Sequence, residues 1–392
     1  MRYDFDHLPD RRLTDSVKWN QFEPDVLPLW VADMDYPVAD PIRRALRERV
    51  DEAIYGYPDV FSNHKPIAEL REVIVERMLR LYDWKVATEE VVILPGVIVG
   101  LNLACQSLAV SRGSVLVQTP VYPPFLGTAQ NANMKRHEAV LEQGRDGYYE
   151  INWETFERAI TERTRLFILC NPHNPVGRVF RKDELERMAE ICLRKEVVIC
   201  SDEIHCDLVF KRHRHIPIAT LGREVAQNTI TLMAPTKTFN IAGLQCSFAI
   251  IQNQELRRKF VESMRGLVMW VNLMGLRATL AAYRDGQEWL DQALNYLESN
   301  RDYLTQYVRE QLPSLHMMQP EGTYLGWLDC RKAGIQGNPC EFFIKEARVG
   351  LNDGATFGTG GKGFVRLNFA CSWVTLTHAL ERMKTALDKL GD

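Results

Sequence analysis

Lys237 is the residue best suited to covalent chemistry. It lies in Ala-Pro-Thr-Lys-Thr-Phe-Asn, residues 234–240, directly after the apolar run 228–232, which predicts a buried strand. Lysine is seldom buried, and here its neighbours are Pro, Thr and Gly rather than other charges. A lysine in a partly dry pocket has a depressed pKa and can act as a nucleophile or form a Schiff base. Taken alone, the stretch fits an exposed lysine in a surface loop equally well.

Three further polar or aromatic side chains follow predicted strands. Asp202 ends an apolar strand, where a carboxylate needs a cation, a proton donor or a helix to cap. Asn174 lies in Asn-Pro-His-Asn-Pro-Val-Gly, a rigid turn that can present its amide to a ligand. Tyr122 is flanked by prolines and can stack on a planar ring. Each of the three also fits a purely structural role.

Two other motifs indicate the recognition of anions. Gly96 leads from a predicted strand into a helix that starts with Val97 and Ile98, and free N–H groups at a helix start bind anions. Arg366 lies within an apolar strand, where its guanidinium needs a carboxylate. That carboxylate could belong to a ligand or to a structural ion pair.

The elements that must position these side chains alternate along the chain. Short apolar strands separated by helices predict an α/β domain with a mainly parallel, seven-stranded type of sheet covered on both faces. Such sheets bind ligands at the carboxyl ends of their strands.

Longer helical stretches after residue 254, among them 256–270, predict a smaller α+β domain. We expect an N-terminal arm over 1–48 that joins the small domain, a large domain over 49–285 and a small domain over 286–392. A helix near 66–82 precedes the first strand of the sheet.

Composition excludes several classes of function. With 392 residues and a net charge of −3, nothing indicates nucleic acid or a membrane as partner. The nine cysteines form no Cys-x-x-Cys pair, which predicts thiols in the cytoplasm. Residues 358–363 match Gly-x-Gly-x-x-Gly but lead into a strand instead of a helix, so a dinucleotide site is rejected. The His213-Arg214-His215 loop lacks spaced partners, and we expect no metal site.

Taken in order, the motifs resemble the fold-type I pyridoxal-phosphate (PLP) enzymes, the aspartate aminotransferase superfamily. The resemblance spans nearly the whole chain. It is carried by the Pro-Gly turn, the Pro-flanked Tyr, Asn-Pro-x-Asn-Pro-x-Gly, Asp-Glu-Ile-His, Lys-Thr-Phe-Asn and the late Arg. Within the superfamily, residues 30–35, 55–57, 202–205 and 237–240 look most like the MalY/PatB-type cystathionine β-lyases, which are C–S lyases.

The resemblance implies a role for each site residue. Lys237 and Tyr122 would be catalytic, with Lys237 holding the cofactor as a Schiff base and moving a proton at the substrate Cα, and Tyr122 stacking on the ring. Asp202 would keep the pyridinium nitrogen protonated. The other cofactor contacts would come from Tyr57, Gly96, Val97, Ile98, Asn174, His205 and Thr236. Substrate would be bound by Arg366, Asn174 and Ala32.

Tyr57 would reach the phosphate of a neighbouring subunit, so the resemblance also implies a homodimer with shared active sites. The chain departs from the superfamily at two phosphate positions, which are Ala234 instead of Ser and Gln245 instead of Lys or Arg. Thr236 would take over part of the phosphate contact.

The implied reaction is β-elimination from a thioether amino acid such as cystathionine, giving a thiol, pyruvate and ammonia. An aminotransferase would share the first steps and is the alternative. A regulatory protein that retains PLP is a third possibility. It is disfavoured because no basic helix-turn-helix precedes Trp30.

Overall fold

The computed structural model describes residues 2–57, 67–144 and 147–390. The predicted helix near 66–82 begins outside these ranges, and its described part is Ile67–Tyr82. None of the described helices combines the length and apolarity needed to cross a membrane.

The described residues form one large sheet of eight strands. In order across the sheet, these are Val91–Leu94, Ser247–Ile250, Thr229–Met233, Val198–Asp202, Thr164–Cys170, Ser114–Thr119, Lys135–Gln143 and Tyr149–Ile151. Neighbours from Thr229–Met233 to Lys135–Gln143 pair in parallel, whereas Ser247–Ile250 is antiparallel to both of its neighbours. The predicted mainly parallel α/β sheet is therefore confirmed. The eighth strand, Tyr149–Ile151, has only three residues, too few to give a strand pattern in the sequence.

Helices cover both faces of this sheet. Alternate residues of each strand point to opposite sides, and apolar residues on both sides pack against helices. Val115 and Val117 pack in one apolar cluster with Leu101 of a covering helix, and Leu116 packs in another with Met188. The helices that follow or connect the large-sheet strands are Val97–Ser107, Pro124–Asn131, Trp153–Ala159, Lys182–Arg194, Arg223–Gln227, Pro235–Thr238, Gln254–Met264 and Leu273–Asp285.

A second, antiparallel sheet carries Arg366. Its four strands are, in order, His316–Met317, Leu325–Asp329, Phe364–Asn368 and Asn352–Asp353. The helices nearby in sequence are Gln287–Gln311, Pro339–Phe342, the π-helix Phe343–Ala347 and Trp373–Asp388. The described residues thus contain the large sheet and the smaller one that were predicted, and a separate two-stranded pairing of Leu27–Pro28 with Val349–Gly350. The three domain boundaries remain a prediction.

The N-terminal segment lies against the second sheet. Strand Leu27–Pro28 pairs in parallel with Val349–Gly350, and the Asn368 N–H donates to the Leu29 carbonyl oxygen at 2.8 Å. Its helices are Val17–Asn20 and Asp40–Asp51. This pairing places residues 30–36 between the two sheets.

The predicted helix 256–270 is wrong at its C-terminal end. The helix runs over Gln254–Met264, and Gly266 has φ +77°, a left-handed conformation that glycine adopts without strain and that ends helices. Leu267 and Met269 beyond it are exposed instead of packed. The apolar pattern that suggested a longer helix is therefore a surface feature.

Candidate active site

A cavity of about 540 Å³ lies at the carboxyl ends of the central strands. Eleven of the twelve predicted site residues line it: Ala32, Gly96, Val97, Ile98, Tyr122, Asn174, Asp202, His205, Thr236, Lys237 and Arg366. They come together because parallel strands end at one edge of a sheet.

Lys237 enters the cavity from the short helix Pro235–Thr238, which follows strand Thr229–Met233. Its Nζ donates to the carbonyl oxygen of Ala32 at 2.7 Å. Burial lowers the pKa of Lys237 to about 8, and the charge of Arg366 adds to the decrease while Asp33 opposes it. A lysine with this pKa supplies a useful fraction of neutral, nucleophilic amine near neutral pH.

Asp202 ends strand Val198–Asp202 and is 5% exposed. Burial raises the pKa of Asp202 to about 7. Little opposes this increase, since among the described residues Oδ1 accepts only from the Ile204 N–H at 3.0 Å and no cation pairs with the carboxylate. Nearby His205 has its pKa lowered to about 3 by burial, and its Nδ1 is buried without a hydrogen-bond partner in the described part of the chain. A protonated heterocyclic nitrogen would supply the positive charge that the Asp202 carboxylate needs as a partner.

Arg366 is 2% exposed and forms none of the ion pairs found within residues 2–57, 67–144 and 147–390. Its Nη1 donates to Asn174 Oδ1 at 3.0 Å, and its Nη2 donates to Trp30 O at 2.9 Å and to Asn352 Oδ1 at 2.8 Å. Its Nε is buried and has no partner in those ranges. Burial lowers the pKa of Arg366 only to about 10, so the group stays a cation. Of the two alternatives for Arg366, the ligand carboxylate therefore fits and the structural ion pair does not.

Tyr122 lies in the wall between these groups. Its backbone N–H donates to the carbonyl oxygen of Asn174 at 3.1 Å, which joins two strand-end turns. Burial raises the pKa of the Tyr122 phenol, which therefore stays neutral. Its ring is half-buried and lines the cavity, as stacking on a planar ligand requires.

The anion end of the cavity is the start of helix Val97–Ser107, with Gly96 as its N-cap. A Cβ added to Gly96 would meet no atom within 4 Å, so the backbone borders open space there. Ala234 is buried and brings no hydroxyl, whereas Thr236 and Gln245 both line the cavity. The N–H groups of the helix start, with the Thr236 hydroxyl and the Gln245 amide, can hold a phosphate without a cationic side chain in the place of Gln245.

Tyr57 is the one predicted site residue outside the cavity lining. It is 86% exposed, and its ring lies 5.0 Å from that of Trp270 in an edge contact. It therefore makes no contact with the site of its own chain.

Two residues that sequence reasoning missed hold the site together. Tyr324 donates from its hydroxyl to Ala32 O at 3.1 Å, the oxygen that also accepts from Lys237. Asn240 donates from Nδ2 to the Met34 carbonyl at 2.9 Å and to the Tyr36 carbonyl at 2.8 Å. Asn240 was visible as part of Lys-Thr-Phe-Asn, but nothing in the sequence connected Tyr324 to the arm.

Comparison with known proteins identifies the class. The model of the family Aminotransferase class I and II matches residues 24–383, so the chain belongs to this family. The cystathionine β-lyase PatB of Bacillus subtilis strain 168 is 38% identical over 98% of this chain and 99% of its own length.

Two solved structures are also similar over almost their full length. OvoB shows 42% identity and a TM-score of 0.92, covering 98% of this chain and 99% of that one. The PLP-bound C–S lyase from Staphylococcus hominis shows 32% identity and a TM-score of 0.91, covering 99% and 98%. These matches confirm the predicted fold and the resemblance to the C–S lyase branch.

The cavity fits pyridoxal 5′-phosphate part by part. Lys237 offers an amine for a Schiff base, Asp202 pairs with no cation in the part of the chain that the structure describes, and the helix start at Gly96 faces open space. The unpartnered Nε of Arg366 leaves a donor for a carboxylate. The groups left incomplete by the protein alone therefore match an aldehyde, a pyridinium, a phosphate and an amino-acid substrate.

Proposed function

We propose that this chain is a PLP-dependent C–S β-lyase that cleaves S-substituted cysteines such as cystathionine into a thiol, pyruvate and ammonia. The observation that carries the proposal is one cavity that holds Lys237 with its lowered pKa, together with Asp202 and Arg366, which pair with no cation and no carboxylate among the described residues. The similarity to the Bacillus subtilis cystathionine β-lyase and to the Staphylococcus hominis C–S lyase supports the choice of reaction.

Each residue then has a physical task. When bound, PLP supplies an electron sink that stabilises negative charge at the substrate Cα. Arg366 binds the α-carboxylate, and the buried Asn174 fixes the guanidinium through Nη1. The neutral amine of Lys237 accepts the Cα proton, and the thiolate leaves from Cβ. Hydrolysis of the unsaturated amine that is released gives pyruvate and ammonia.

An aminotransferase is the second candidate, because the matching family model carries that name. Both reactions need Arg366 and Lys237 in the same roles. They differ in stoichiometry, since an aminotransferase sustains turnover only when a keto acid accepts the amino group.

The deciding experiment gives the purified holoenzyme cystathionine and, separately, S-ethylcysteine, with no keto acid present. Continuous release of pyruvate with an equal amount of thiol supports the lyase. Turnover that stops after one equivalent per site and resumes on addition of a keto acid would establish the aminotransferase and overturn the proposal. The variant K237A serves as the inactive control.

We also propose a homodimer in which Tyr57 serves the partner's site. The supporting observation is an exposed apolar patch, formed by Tyr57, Ile98, Leu267, Met269 and Trp270. Ile98 belongs both to this patch and to the cavity, so a copy seated on the patch would border the anion end of the site.

Sedimentation velocity combined with activity tests the dimer. We expect dimers for the unmodified protein and inactive monomers for M269D, which places a carboxylate in the patch. Mixing inactive Y57A with inactive K237A should restore part of the activity if the sites are shared. A fully active monomer would remove the role given to Tyr57.

The cytoplasm is the proposed location. All nine cysteines are unpaired and buried, as expected for a protein kept in a reducing compartment.

A further inference from the structure

We propose that Asp207 and Thr238 are positioning residues for Lys237, fixing the turn that carries it through a buried hydrogen bond backed by an ion pair. The inference rests on the proposed function, since it assigns Lys237 the covalent and proton-moving role. It adds two residues that do not line the cavity and that have been given no role above, although Thr238 lies within the Lys-Thr-Phe-Asn motif.

The geometry forms a continuous connection. Thr238, the residue after Lys237, donates from Oγ1 to Asp207 Oδ2 at 3.0 Å. Arg77 donates from Nη2 to the other oxygen, Asp207 Oδ1, at 2.6 Å. The side chains of Arg77 and Asp207 are only 4% and 5% exposed. Both carboxylate oxygens of Asp207 are thus used in a place with little solvent.

The connection is anchored on three separate elements. Arg77 belongs to helix Ile67–Tyr82, and its guanidinium lies 4.7 Å from the centre of the Tyr283 ring. Asp207 follows Asp202 by five residues, in the turn that also carries His205. Thr238 closes the short helix Pro235–Thr238. The carboxylate of Asp207 therefore ties the turn that presents Lys237 to the turn that follows Asp202 and carries His205.

The short helix needs such support. It contains four residues, too few to be stable without tertiary contacts. A buried ion pair is strongly orienting, because moving either partner leaves an uncompensated charge in a place with low solvent access. The turn can move only if Thr238 gives up its bond to Asp207. Since Lys237 must reach both the cofactor and the substrate Cα, a small displacement of this turn affects both steps.

Thr238→Val tests the connection, because valine keeps the shape of threonine and removes the hydroxyl. Thr238→Ser keeps the hydroxyl. Thr231→Val is the matched control, since Thr231 is fully buried in the strand that leads to Lys237 and its Oγ1 has no hydrogen-bond partner among the described residues. Two quantities are measured: the rate at which apo-protein captures added PLP, followed by near-visible absorbance, and kcat and KM with S-ethylcysteine.

We expect T238V to lower the capture rate and kcat by about 10- to 100-fold, because a misplacement of a reacting group by about 1 Å can cost about 10²-fold, with KM nearly unchanged. T238S and T231V should stay close to the unmodified protein in both. Equal capture rates for T238V and T231V would overturn the proposal, as would a T238V defect confined to melting temperature. If T238V does not fold, Thr238→Ala takes its place in the same comparison.

The capture rate does not depend on which reaction the holoenzyme catalyses. Failure of the lyase assay would therefore count against the proposed function. Normal capture kinetics in all variants would count against the positioning role. Loss of capture in T238V alone would support the positioning role even if the reaction proved to be transamination.

Discussion

Lys237 Nζ lies 2.7 Å from the carbonyl oxygen of Ala32, a residue 205 positions earlier in the chain. The Lys237 amine is thus oriented by the N-terminal segment, which itself pairs with strand Val349–Gly350. The lysine amine, the arm and the second sheet form one connected structure. A substitution in the arm or in the second sheet should therefore affect the Lys237 amine.

Replacing Lys237 by alanine removes the only group proposed to bind the cofactor covalently. We expect K237A to lack the near-visible absorbance of lysine-bound PLP and to lose activity by about 10²–10⁴-fold or more, the usual contribution of a residue that moves a proton in the transition state. The absorbance spectrum and pyruvate release report the two effects. Lys345→Ala, which changes an exposed lysine, is the control. A K237A protein that kept the absorbance band would contradict the cofactor assignment.

The lowered pKa of Lys237 predicts how apo-protein captures PLP as the pH changes. Only the neutral amine attacks an aldehyde, so the capture rate should rise with pH and level off above about pH 8. The rate is followed by stopped-flow absorbance across the pH range. A midpoint near the ordinary lysine value of 10.5 would show that the cavity does not desolvate Lys237.

The same pKa has a consequence for stability. The folded state disfavours the protonated amine, so below about pH 8 the buried ammonium destabilises apo-protein. Between about pH 8 and 10.5 the unfolded chain binds more protons than the folded one, and the contribution of this group to stability rises with pH. Denaturant unfolding of apo-protein and of K237M should differ in this slope, with K237M lacking the increase.

The site was largely predictable because its residues belong to local patterns. Asp202 ends one strand and Asn174 lies in the turn after another, and the topology of a parallel sheet brings such ends together regardless of their distance in sequence. Tyr324 could not be found this way, because its hydroxyl bond to Ala32 spans 292 residues and leaves no periodic signal. The end of helix Gln254–Met264 was missed for a different reason. An exposed apolar run beyond Gly266 imitates a buried helical face.

Arg366 should govern substrate affinity more than the rate of the chemical step. We expect Arg366→Lys to raise KM about tenfold or more and to lower kcat less, since a hydrogen bond to a charged group contributes about 1.5–3 kcal/mol and lysine cannot reproduce the planar donor pattern. Steady-state kinetics with S-ethylcysteine separates the two constants. An unchanged KM would mean that the α-carboxylate is bound elsewhere. The carboxamide analogue of the substrate provides the check. It should bind poorly to the unmodified protein, and its affinity should differ little between the unmodified protein and Arg366→Lys.

Tyr324 should act through the position of the arm, not through the reaction itself. In Tyr324→Phe the Ala32 carbonyl keeps its bond from Lys237 but loses the second donor at 3.1 Å, and a buried hydrogen bond contributes about 0.5–1.5 kcal/mol. We therefore expect the free energy of unfolding to fall by about 1 kcal/mol, with the PLP absorbance retained. Tyr303→Phe is the control, because the Tyr303 hydroxyl makes no hydrogen bond to the described residues. Should Y324F instead abolish the absorbance band, the bond from Lys237 to Ala32 would depend on Tyr324 much more strongly than one shared acceptor implies.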